Sequence, residues 1–203
     1  MFRIARGLAL FTVGMGSLAW SQARLSVRVW NYAGVSSEVI GQAEHQVDKV
    51  FGSIGAQFDW IDCDPNGVRP AICAATPGPA DLVLRIEAKS AAPGTFGADV
   101  LGRAMGDAIA DVYDSEVATI ARRQNLARYE VYAMAIAHEF GHLLLGPGAH
   151  TGTGLMRSRW TSDDFDAAAK RRLRFDTAQN QRIRSAVQSR STFAAVPKRQ
   201  SQP

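Results

Sequence analysis

The chain has 203 residues, 46% of them hydrophobic and 21% charged, a balance that suits one ordinary globular domain and excludes a disordered or fibrous protein. Its net charge of +4 is unevenly placed: residues 24–169 hold 12 Lys+Arg against 18 Asp+Glu, and residues 170–203 hold 9 against 1. The basic tail shows no interleaved aromatics for base stacking, so a solvated helix surface is expected there and no nucleic-acid partner.

At the N-terminus Arg3 and Arg6 precede the apolar run Leu8 to Met15, and Ser21-Gln22-Ala23 presents small residues where a signal peptidase reads. Residues 1–23 are expected to be a bacterial export signal cleaved after Ala23, leaving a secreted or periplasmic protein. The run is too short to cross a bilayer comfortably, so no stable membrane insertion is expected after cleavage. In an oxidising compartment Cys63 and Cys73, the two cysteines, are expected to form a disulfide.

Leu25 to Trp30 alternates apolar and polar residues and predicts a strand. Ser36-Ser37-Glu38 then caps a helix whose apolar residues Val39, Ile40, Ala43, Val47, Val50, Phe51 and Ile54 recur at helical steps, with His45 on the solvent side. Gln57 to Asp62 predicts a second strand and Asp81 to Ala88 a third, on either side of the cysteine loop. The glycine-rich passage Ala92 to Asp114 lacks the pattern of a phosphate loop. It predicts a short edge strand near Leu101 to Met105, a turn, and a strand near Ala108 to Tyr113. Ser115 to Asn125 is expected to be helical. Strands interleaved with helices in this order point to an α+β, or α/β-type, sandwich built on a mixed sheet.

From about Tyr129 the sequence becomes an apolar helix ending in His138-Glu139-Phe140-Gly141-His142. Two histidines four residues apart leave one helix face a turn apart and can close on a single metal ion. Three ionisable groups within five residues of an otherwise apolar helix are costly unless something pairs them. One Zn2+ per chain is therefore the expected cofactor. Glu139, one residue beyond a ligand, is placed to act as general base. A catalytic zinc site needs a third protein ligand, and His150 is the remaining downstream histidine. Carboxylates at Asp163, Asp164 or Asp166 are the alternatives. Gly146-Pro147-Gly148 stops the helix, Thr161 to Asp164 caps the next one in a T-x-x-D pattern, and a last helix is expected over Thr177 to Gln188. The domain is expected to end near residue 190, with 191–203 a disordered basic tail.

At these residues the sequence resembles the metzincin clan of zinc metallopeptidases, whose pattern is H-E-x-x-H-x-x-G-x-x-H followed by a methionine turn. Gly146 comes one residue late and His150 two residues late against that pattern, yet Gly154-Leu155-Met156 looks like the methionine turn of the matrixin branch. Short, uncharacterised exported bacterial chains with H-E-x-G-H-L-L-L-G and G-L-M-R-x-R-W are similar too. The resemblance implies a mixed twisted sheet packed on helices, a metalloendopeptidase hydrolysing peptide bonds, and a peptide or protein substrate; a monomer is expected, though the sequence leaves the oligomeric state open. It implies that Met156 lies beneath the metal and that Arg157, Arg159 and Trp160 wall the substrate pocket. The two arginines could there favour acidic side chains or form surface salt bridges. It does not carry over the calcium or second zinc of the matrixin branch. The alternative to a peptidase is a non-catalytic secreted binding domain stabilised by zinc.

Overall fold

The computed structural model describes residues 23–89 and 100–195. The expected signal segment up to residue 22 and most of the start of the glycine-rich passage lie outside them. Five strands form one sheet, β1 (Ala23–Asn31), β2 (Ala56–Asp62), β3 (Asp81–Glu87), β4 (Gly102–Met105) and β5 (Ile109–Tyr113), in the order β2-β1-β3-β5-β4. The first three and β5 run parallel, while β4 lies antiparallel to β5 at the edge. The mixed sheet and α+β class expected from the sequence are therefore present. Ala23, the residue before the expected cleavage point, is itself the first residue of β1.

The alternation of the strands decides the two faces. Leu25, Val27, Val29, Leu82, Leu84, Ile86, Ala110 and Val112 are buried in one continuous core. Over it pack α1 (Ser37–Gly52) and α3 (Arg128–Leu145), with α2 (Asp114–Gln124) beside α3. The Ser36 hydroxyl accepts from Val39 N–H and starts α1, as its sequence indicates. Asn125, in left-handed conformation at φ 51°, ends α2.

On the other face, Arg28 is 2% exposed although the β1 pattern gives it a polar position. The connection from β2 to β3, which contains the cysteine loop, accounts for this, since Arg28 donates to Ala75 O and, at 2.7 Å, to Asp81 Oδ2. Cys63 and Cys73 are joined by a disulfide that closes this loop.

A short α4 (Ser162–Ala169) begins at Thr161, whose N–H and hydroxyl donate to Asp164 Oδ2 at 2.8 and 2.9 Å. The last helix, α5, runs from Thr177 to Ala195, well past the expected end at Gln188. The tail expected to be disordered from residue 191 is thus helical over its first five residues; residues 196–203 lie outside the described part. Contacts distant in sequence hold this extension. Arg190 donates to Asp107 O at 2.6 Å and Leu143 O at 2.9 Å, and Ser191 Oγ to Arg24 O at 2.8 Å. Arg182 donates to Leu145 O at 2.6 Å. Part of the basic tail therefore serves the last carbonyls of α3, where cations are favoured.

Candidate metal centre

Helix α3 is buried along nearly its whole length, and its two sides do different work. Phe140, 200° round the helix from His138, enters an aromatic cluster with Phe58 at 5.4 Å, Trp60 at 6.1 Å and Phe51 at 6.4 Å between ring centroids. That packing fixes the rotation of the helix. At its N-terminal end Asp114 accepts from the Tyr132 hydroxyl at 2.5 Å and from Arg128. His138, Glu139 and His142 consequently face a cleft of about 720 Å³ between β4, α2 and the segment following Met156.

The chain turns at Gly146, φ 89°, and brings His150 back to the same point. The His142 Nε2 stands 3.1 Å from that of His138 and 3.0 Å from that of His150, and His150 to His138 is 3.3 Å. The two-residue delay in the sequence is absorbed in the Gly146 to Gly148 turn. Among the described residues this is the one group of three or more His, Cys, Asp or Glu able to hold a metal ion. Asp163, Asp164 and Asp166 are not in it.

The donor set fits a metal. Nitrogens about 2.0–2.1 Å from a tetrahedral zinc stand roughly 3.3 Å apart, which the three distances match within a few tenths of an ångström. His138 Nδ1–H donates to Leu155 O at 2.8 Å, which leaves a lone pair at Nε2. Burial, with the neighbouring imidazoles, pushes His138 down to about 4 in spite of that hydrogen bond. Burial and His150 lower His142 as well. Both rings are therefore neutral at pH 7, and lone pairs crowded at 3 Å repel unless a cation sits among them.

Glu139 is 7% exposed. Burial pushes its carboxyl up to about 8, opposed by Ala104 N–H and aided by Asp111. The close approach of β4 needs Gly102: a Cβ there would lie 2.6 Å from Asp111 O and 2.9 Å from Glu139 Oε1. Neither Gly102 nor the Ala104 amide was singled out by sequence reading, although the edge strand that carries them was.

Met156 is fully buried. It nears α3 at Gly141, where a Cβ would come 2.4 Å from Met156 Sδ and 2.9 Å from Phe175 Cε1. The turn before it depends on Gly154, at φ +73°, whose Cβ would meet Arg174 O at 2.7 Å.

Arg157, Arg159 and Trp160 all line the cleft, but in different ways. Arg157 is occupied, donating to Gly152 O at 2.7 Å, Thr161 Oγ1 at 3.1 Å and Asp164 Oδ2 at 2.7 Å. Arg159 is exposed. Trp160 packs edge-on against His138 at 5.4 Å, and its indole N–H donates at 3.2 Å to Leu155 O, the carbonyl that also orients His138. That shared acceptor is backbone, so no residue type announces it.

No protein-family model matches the sequence, and no curated protein matches it. Solved structures do. An archaemetzincin from Methanopyrus kandleri is similar over 81% of this chain and 96% of its own, with TM-score 0.53 and 16% identity. Metalloproteinase-II from Bacteroides fragilis is similar over 84% of this chain at TM-score 0.52 and 12% identity, and this chain spans about half its length, 55%. At such identities what is shared is the fold, and this chain has the fold of these metalloproteinases with a three-histidine cluster able to bind a metal.

Proposed function

We propose that this chain is an exported, monomeric zinc endopeptidase that binds one zinc through His138, His142 and His150 and uses Glu139 as general base. The observation that carries the reading is the convergence of three imidazole Nε2 atoms on one point in the wall of a cleft that also holds the buried Glu139 carboxyl. Zinc supplies a Lewis acid that polarises a peptide carbonyl and lowers the pKa of water. Glu139 accepts a proton from the attacking water, whose oxygen bonds to the carbonyl carbon. As the C–N bond breaks, the proton passes from Glu139 to the departing nitrogen, leaving an amine and a carboxylic acid, whose remaining proton is then lost to the amine or to solvent. A carboxyl held at about 8 by burial, and drawn down by a dication beside it, titrates where such exchange is efficient near neutral pH. The Ala104 amide, on an edge strand that Gly102 lets approach closely, orients it.

The disulfide and the N-terminal sequence pattern support export. Glu139→Gln should retain one zinc per chain by metal analysis and lose about 10² to 10⁴ in hydrolysis of a general protein substrate. Wild-type and Glu139→Gln proteins that both hold zinc and both lack activity would favour a zinc-stabilised binding domain instead.

A further inference from the structure

Four of the 12 Lys and Arg side chains of residues 24–169 line the cleft: Arg103 from β4, Arg123 from α2, and Arg157 and Arg159 after Met156. Against them the lining has one carboxylate, Glu139. This excess of cations in the lining runs counter to a body in which acids outnumber bases. The cations are not equivalent. Arg157 is closed off by Asp164 at 2.7 Å. Arg103 stands 3.6 Å from Asp111, a carboxylate that Arg85 already holds at 2.6 and 2.9 Å. Arg159 is exposed and has neither ion pair nor hydrogen bond among the described residues. The same cleft is also lined by the apolar Leu101, Ile120, Ala135, Trp160 and Phe165.

We infer, on the peptidase reading, that the cleft selects acidic peptides: an apolar side chain enters between Ile120, Ala135 and Phe165, and an Asp or Glu near it in the substrate pairs with Arg159. The Arg159 guanidinium is exposed in the cleft lining, so the pair is screened by water and its selectivity is about tenfold at most. The geometry of Arg157 removes it from this task although it is two residues away in sequence.

The test uses full-length mature protein loaded with zinc and peptides of one apolar sequence that differ by a single Glu, Gln or Lys scanned around the scissile bond. Cleavage by wild type should favour Glu over Gln by about tenfold in kcat/KM at one position. Arg159→Glu, with zinc content and circular dichroism retained, should invert the Glu to Lys ratio. Calorimetric binding of the same peptides to zinc-loaded Glu139→Gln reads the preference without cleavage. Equal binding of Glu and Gln peptides overturns the inference, as does a Glu preference that Arg159→Glu leaves intact. If the Glu preference appears in binding and Arg159→Glu inverts it while wild type cleaves nothing, the selectivity stands and the peptidase reading falls.

Discussion

Gly141→Ala has two opposed effects whose sizes can be compared. In a helix interior alanine is favoured over glycine by about 1 kcal/mol, so the substitution alone would stabilise α3. The structure places the new Cβ 2.4 Å from Met156 Sδ and 2.9 Å from Phe175 Cε1, whereas optimal non-bonded separations are about 3.5–4.0 Å. One neighbour or the helix must retreat by more than an ångström. Met156 is 0% and Phe175 4% exposed, so neither can swing into solvent, though the thioether is adaptable. Overpacking of this kind costs about 1–3 kcal/mol, giving a net loss of up to about 2 kcal/mol. Urea unfolding with and without zinc reads it, and chelator competition should show weaker zinc binding on the proposed function, because Gly141 lies between His138 and His142. In a Met156→Ala background the sulfur and methyl are gone and the same change should cost less, a coupling of about 1–2 kcal/mol. A Gly141→Ala protein more stable than wild type by the propensity difference would refute the close approach.

His150→Ala should lose zinc by metal analysis, while Asp163→Ala and Asp166→Ala keep it. Trp160→Phe retains a ring against His138 but removes the N–H from Leu155 O; because Leu155 O and not Trp160 is the direct partner of His138, zinc affinity should fall by less than the roughly tenfold typical of such partners, with little change in unfolding midpoint. Reducing Cys63–Cys73, which are 10 residues apart, should cost about 3 kcal/mol, read as a lower urea midpoint in dithiothreitol. Burial would raise the Asp81 carboxyl, but the Ser26 hydroxyl, Gly78 N–H and Arg28 outweigh it and hold it below the ordinary 3.8. The stability it lends is present above that ordinary value and lost as pH falls through the depressed one. In acid unfolding titrations Asp81→Asn should flatten this limb below about pH 4.

What the sequence reveals here is local and periodic. Leu82, Leu84 and Ile86 declare β3 by alternation, and His138 and His142 declare one helix face by spacing, because both patterns arise within one element. Arg28 could not be read as buried, since its cover is a loop that begins 35 residues later, at Cys63. Nor could α5 be followed past Gln188, because its last turns are held by Asp107 O, Leu143 O and Arg24 O rather than by an apolar stripe. His150 was identified as the remaining histidine, but its reach depends on backbone angles at Gly146. The Leu155 carbonyl and Ala104 amide are main-chain groups, which residue identities do not disclose.

The latch between α5 and the start of the chain has a consequence for biogenesis and proteolysis. Ser191 and Arg24 are 167 positions apart, so this contact joins the first described strand to be made to the last helix. Until the segment around Arg182 and Arg190 has emerged, Leu143 O and Leu145 O at the metal end of α3 lack these charged donors. A nick in α5 would return them to that condition in a finished molecule. On the proposed function, trimming the carboxyl end back past residue 182 would therefore loosen the end of α3 that carries His142 from a distance, without touching His138, His142 or His150.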